Sequence, residues 1–412
     1  MTDRARLFPL GDRIRLDQLA RDPYPHYRLL QQREPVSWVG ETQQWFVTRR
    51  ADVLEVLYDA ETYTVASPQS LLSDTLGEMM LSLDGAEHRR QRAPFAEAYQ
   101  PRRLRRLHSD GIRDLVGRLI ASFAARGEGE LMSEFCDPLA IISVTGVLGL
   151  PLSDLDQILV WYDDIAAALA NFKRDETVRA RGQAAVRAFG AEIHAHLQRL
   201  AIEPDESALC AIAQHPQHPL EEEAIVANTI LTIFGGRETT AAMLGNTIWA
   251  FLQHPQPLAE LRADESLLPN ALEESLRWEA PVQTATRHVT RPTTLQGVAL
   301  ERGEVLQCIL AAANRDSVHF PAAERFDIHR ANAADHLSFA IGPHYCLGAP
   351  LARLEGQLGL SALLEALPNL RLREDAEAAT LAHPYGHEFR GPRALHCCWD
   401  PVVDPESPCS PQ

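Results

Sequence analysis

The sequence predicts a mainly α fold with small β-sheets, built as a single large helix-rich domain. Three observations carry this. Helical periodicity runs through residues 104–125, 153–170, 178–200, 221–252 and 268–278. The β signals are short and lie toward the margins: PVSWV and QWFVTR near the N-terminus, ATRHVT and GVAL around residues 285–300, and RALHCCW near the end. No Gly/Ser-rich or Pro-rich linker, internal repeat or low-complexity tract divides the 412 residues.

From the N-terminus, residues 1–15 read as an arm, 16–403 as the domain itself, and 404–412 (DPESPCSPQ) as a disordered tail. The opening MTDRARLFPLGDRIRL is charged throughout, without the apolar core of a signal peptide or the roughly twenty apolar residues of a membrane span. A cytoplasmic protein is expected. Seven cysteines are scattered and form no CxxC pair, which argues against a disulfide framework. A net charge of −17 argues against nucleic acid or an anionic membrane as partner. Glycine-rich dinucleotide and P-loop signatures are absent.

Against that acidity stands HRRQRAPFAEAYQPRRLRRL, which carries Arg89, Arg90, Arg92, Arg102, Arg103, Arg105 and Arg106. A solvated helix face is one reading, and a docking patch for an acidic partner is the other.

The stretch IFGGRETT places Gly235 and Gly236 inside a long helical segment, where each costs about 1 kcal/mol relative to Ala. Thr239 lies four residues beyond Gly235, so its hydroxyl can bond the Gly235 carbonyl and bend the helix. In EESLRW, Glu274 and Arg277 share a helix face at i, i+3. On a surface that pair is worth only about 0.2 to 0.5 kcal/mol.

FAIGPHYCLGAPLARLEG sets Cys346 in a glycine-bearing turn. Leu347, Leu351, Leu354 and Leu358 then mark the buried stripe of a helix that begins about there, and Pro350 suits its first turn. Free N–H groups and the positive dipole end at a helix start favour a thiolate. A buried structural cysteine, a nucleophile and a single-thiolate metal ligand all fit these local facts, and haem is the cofactor that uses one axial cysteine.

Phe339, Gly342, His344, Cys346 and Gly348 match FxxGxHxCxG, and with the two stretches above the chain resembles the cytochrome P450 superfamily, of the soluble bacterial type. The resemblance runs from DPYPHYRLL at Asp22 to the strand at Arg393 to Cys397. It implies the cytochrome P450 fold, with haem b (iron protoporphyrin IX) between two long helices and Cys346 as the iron ligand. It implies haem-binding roles for Phe339 and Gly348 in the cysteine loop, and for His88, Arg92, Arg287 and His344 as propionate partners. Glu238 and Thr239 correspond to the family's catalytic acid and alcohol pair. Glu274 and Arg277 become a buried structural pair tied to the loop of Asn314 and Arg315.

The activity so implied is a haem-thiolate monooxygenase that inserts one atom of O2 into a small hydrophobic substrate. Its electrons come from a ferredoxin or flavodoxin type redox partner, for which the basic patch of Arg89 to Arg106 becomes the docking surface. The substrate pocket draws on Leu71 to Met80, Asn171 and Phe172, Thr232 and Ile233, Val282 to Thr286, and Tyr385 and Gly386. A peroxygenase or oxidative coupling enzyme is the alternative, and a non-catalytic haem-bearing recruitment module is another. Two departures stand out. Ala340 sits where the family often has glycine, and Arg237 flanks Glu238 where the family is commonly uncharged.

Overall fold

The computed structural model describes residues 3–67, 70–151, 155–171 and 174–401. Phe172, the first residues of the helix expected at 153–170, and the 404–412 tail lie outside the described residues.

A helix of residues Glu222–Gln253 runs through the molecule, and from Thr240 to Phe251 every residue is buried. A helix apolar all round needs partners on every side. Helices Asp137–Leu148, Glu176–Ile202, Leu268–Trp278 and Ala349–Ala366 supply them. Gly236 permits the first of these contacts, because a Cβ there would stand 2.8 Å from a Val144 methyl. Helix Pro101–Phe123, with Leu104, Ile112, Leu115, Val116, Ile120 and Phe123 on its buried face, lies against Ala349–Ala366. The segments of helical periodicity all become helices: Pro101–Phe123, Leu155–Leu169, Glu176–Ile202, Glu222–Gln253 and Leu268–Trp278.

The largest sheet has five strands, in the spatial order Val36–Val39, Gln44–Val47, Val305–Ile309, Thr284–Val289 and Tyr63–Thr64. Gln44–Val47 and Val305–Ile309 pair in parallel and the other neighbours antiparallel. Strand Val305–Ile309 carries no alternation in sequence because Leu306, Gln307, Cys308 and Ile309 are all buried, and its apolar run continues into the helical turn Leu310–Ala313. His396–Cys398 pairs with Glu128–Glu130 and Arg371–Leu372, and Thr293–Leu295 pairs with Val298–Leu300.

The arm of residues 3–15 packs on the main sheet. Ala5 and Ile14 are buried, and Arg4 pairs with Glu304 while its guanidinium lies 4.3 Å from the Trp38 ring centre. No helix among the described residues is long and apolar enough to cross a membrane.

Candidate active site

The cysteine loop is a folded unit before any ligand is considered. Cys346 N–H donates to the Phe339 carbonyl at 2.8 Å, closing the loop at its base. Gly342 has φ +75°, and a Cβ there would stand 2.8 Å from the Leu57 carbonyl oxygen, so only glycine lets the loop sit on helix Arg50–Tyr58. Ala340 also occupies the left-handed region, at φ +53°. The following helix begins at Ala349 with Gly348 as its cap and Pro350 in its first turn. Burial pushes the Cys346 thiol up, while N–H bonds from Gly348 and Ala349 and the charges of Arg92 and Arg353 pull it down. Deprotonation there is therefore coupled to binding a cation.

Arg92 and Arg353 grip Tyr345, the residue before the cysteine, at opposite ends. Arg92 donates to its carbonyl, and Arg353 Nη1 stands 3.0 Å from its hydroxyl.

The expected propionate partners form one cluster. His88 and His344 lie with ring centres 4.3 Å apart. His344 Nε2 is 2.8 Å from Asp84 Oδ1, an ion-pair partner that the sequence reading did not name. Burial would raise the Asp84 carboxyl, but bonds from His344, Thr64 and the Val65 N–H hold it at about 2. His88 falls to about 4, through burial first and then the charges of His344 and Arg92, with Asp84 opposing.

His88 Nε2 and Arg287 Nη2 are buried without any hydrogen-bond partner. Two orphaned buried donors, both within the field of Asp84, fit an anionic ligand, and the two carboxylates of a haem would supply the missing acceptors. The residues present therefore fit haem.

On the central helix, Thr239 Oγ1 donates to the Gly235 carbonyl at 2.5 Å, as the spacing predicts. The helix nevertheless stays helical through residues 235–239 and shows no break there. A Cβ at Gly235 would meet nothing within 4 Å, so this stretch borders open space. Glu238 is exposed, yet desolvation by the protein around it raises its carboxyl above the usual range; Arg237 opposes this and Asp137 adds to it. Arg237 itself bonds Asp137 at 3.1 Å and Asp163 at 3.4 Å.

Glu274 and Arg277 are both fully buried, joined at 2.6 and 2.8 Å. Arg277 also donates to the carbonyls of Asn314, Ala323 and Arg325. Arg330 is a third member, its Nε 3.1 Å from Glu274. Sequence spacing gave no sign of it, because a cation 56 residues away shares no helix face with the pair. Arg315 turns elsewhere, donating to the Trp278 carbonyl and lying 3.3 Å from the centre of the Tyr24 ring.

Of the expected pocket residues, Ile233 is packed in the core, and Asn171 closes a turn through two bonds to the Asp175 backbone. Thr232 and Thr286 spend their hydroxyls on the Asn228 carbonyl and the Gln307 side chain. Tyr385 and Phe389 are large and exposed at the two sides of a tight turn bridged at Tyr385 and Gly391, and Phe389 bridges Val282. Phe389 and the exposed Leu81 were not expected from the sequence.

A family model described as Cytochrome P450 matches residues 174–375. Among characterised proteins, the chain is 32% identical to cytochrome P450 monooxygenase PikC of Streptomyces venezuelae, over 92% of each chain. It is 31% identical to the vitamin D(3) 25-hydroxylase of Pseudonocardia autotrophica, over 85% of this chain and 88% of that one. The crystal structure of CalO2 superposes with a TM-score of 0.84 at 32% identity, covering 93% of this chain and 97% of the other.

Proposed function

The chain belongs to the cytochrome P450 family, and from that premise we propose that Cys346 is its axial thiolate and that it hydroxylates a small, mostly apolar substrate. Members of this family bind haem b through a cysteine thiolate and incorporate oxygen from O2. The observation that carries the assignment is the sulfur of Cys346 at a helix start, receiving the N–H groups of Gly348 and Ala349.

When bound, haem supplies the redox-active iron at which dioxygen is activated. The chain's own residues do the rest. Cys346 donates electron density as a thiolate, and the N–H bonds from Gly348 and Ala349 limit how much charge the sulfur carries. Phe339 and Gly348 hold the loop around the sulfur. His88 and Arg287 would offer their unpartnered donors to the propionates, with His344 against the His88 ring and the charge of Arg92 nearby.

Glu238, whose carboxyl desolvation raises above the usual carboxylate range, is the proton carrier beside the open space at Gly235. Thr239 donates its hydroxyl hydrogen bond to the Gly235 carbonyl, so its lone pairs are free to accept a bond from an incoming water.

An apolar substrate is supported by the hydroxyl accounting. Thr232 and Thr286 have their donors engaged by protein, whereas Leu81, Tyr385 and Phe389 are large and unsheltered. The vitamin D(3) 25-hydroxylase, by its name, acts on a molecule of that character. The redox partner is an acidic ferredoxin or flavodoxin. Arg89, Arg102 and Arg105 are exposed and bonded to no side chain among the described residues, and helix Pro101–Phe123, which carries Arg102 and Arg105, packs against the one that follows Cys346.

The reduced, carbon monoxide-bound spectrum tests the central assignment. A red-shifted Soret band lost in Cys346→Ser is expected, and a band without the thiolate shift overturns it. Arg102→Glu with Arg105→Glu tests the patch: slower first-electron transfer at low salt with an unchanged spectrum is expected, and unchanged transfer refutes the docking site.

A further inference from the structure

Glu273 and Glu274 are adjacent on helix Leu268–Trp278 but serve different arginines. Glu274 takes the buried pair described above. Glu273 takes Arg353, whose Nε and Nη2 lie 2.6 and 2.8 Å from its two oxygens. The fork is bidentate and therefore fixed in plane as well as in distance.

Held this way, the Arg353 guanidinium stands 4.6 Å from the centre of the Phe339 ring and 3.0 Å from the Tyr345 hydroxyl. Both contacts bear on the cysteine: Tyr345 precedes it, and the Phe339 carbonyl receives its N–H. His336 closes the back of the site. Its Nε2 is 3.1 Å from Glu273, its Nδ1 takes the Ser338 N–H, and its ring lies 5.7 Å from Phe339. The charged and titratable groups facing Arg353 are thus Glu273, His336 and Tyr345, with Arg92 on the other side of Tyr345.

We propose that Arg353 is a positioning residue for the cysteine thiolate, and that the Glu273–Arg353 pair sets the charge balance behind it. The proposal rests on the reading of Cys346 as the iron ligand. The cation draws electron density at the sulfur toward itself, and the carboxylate of Glu273 offsets that pull. Removing either partner leaves the other unopposed, so the two removals act with opposite sign.

The test is the one-electron reduction potential of the haem-loaded protein, with the carbon monoxide spectrum recorded on each sample. Glu273→Gln leaves an uncompensated cation, and the reduction equilibrium is expected to favour the reduced state by about tenfold, which is about 59 mV for one electron. Arg353→Met leaves an uncompensated carboxylate and is expected to shift it the other way. The double variant returns close to the parent.

Shifts of the same sign in both single variants, or no shift in either, overturn the proposal. If Arg353→Met does not load haem, the sign of the Glu273→Gln shift decides alone, because that change is nearly isosteric. A parent protein without the thiolate band defeats the reading of Cys346 itself, whereas a normal parent band with unmoved potentials defeats only this inference.

Discussion

Arg237 and Glu238 are neighbours on the central helix, yet the guanidinium of Arg237 is bonded to Asp137 at 3.1 Å and Asp163 at 3.4 Å, and lies 4.5 Å from the Tyr162 ring centre. A cation that has two carboxylates and an aromatic face does not need Glu238. Replacing Arg237 with Met is expected to cost about 1 kcal/mol of stability through the half-exposed pairs and the lost ring contact. Product formed per electron consumed stays unchanged. Glu238→Gln is expected to lower turnover about a hundredfold, as loss of a general acid does. Equal loss of coupling in both variants would show that the two side chains act together.

Ala340 holds φ +53° in the cysteine loop, where an L side chain costs about 1 kcal/mol. Its N–H bond to the Leu337 carbonyl at 2.8 Å fixes it there. Ala340→Gly is expected to raise the thermal midpoint of the haem-loaded protein and leave its carbon monoxide spectrum in place. A lowered midpoint would mean that the methyl is needed for packing.

Glu274, Arg277 and Arg330 form a charged cluster away from water, with both members of the closest pair fully buried. Truncating one partner strands the other charge, at a cost of about 3 to 5 kcal/mol. Arg277→Ala is expected to abolish recovery of haem-loaded protein. Arg330→Ala should do nearly the same, because it removes the second cation from Glu274. Soluble, fully loaded Arg277→Ala protein would contradict this.

His88 is held to about 4 by burial and by its cationic neighbours, against an ordinary value of 6.5. Between those two values the unfolded chain binds a proton that the folded chain refuses. Stability of the haem-free chain is therefore full above about pH 6.5 and falls as the pH drops toward about 4. Denaturation midpoints across that window should show the slope, and His88→Gln should flatten it. An unaltered slope in the variant would assign the effect to another group.

The chemistry that fits within a few residues was readable from the chain. The order of Gly342, His344, Cys346 and Gly348 marks the loop, and the spacing from Gly235 to Thr239 foretells the hydroxyl bond. The i, i+3 step brings Glu274 to Arg277. The long helices follow for the same reason, since apolar periodicity is a local property.

What the sequence could not express is which distant groups meet these residues. Asp84 meets His344 across 260 positions, Glu273 meets Arg353 across 80, and Asp137 claims Arg237 across 100. Strand Val305–Ile309 stays hidden because both its faces are buried and no alternation survives. The side chains that could carry the chemistry are set by sequence. Their protonation, orientation and charge balance are set by partners that only the packed fold brings within hydrogen-bond distance.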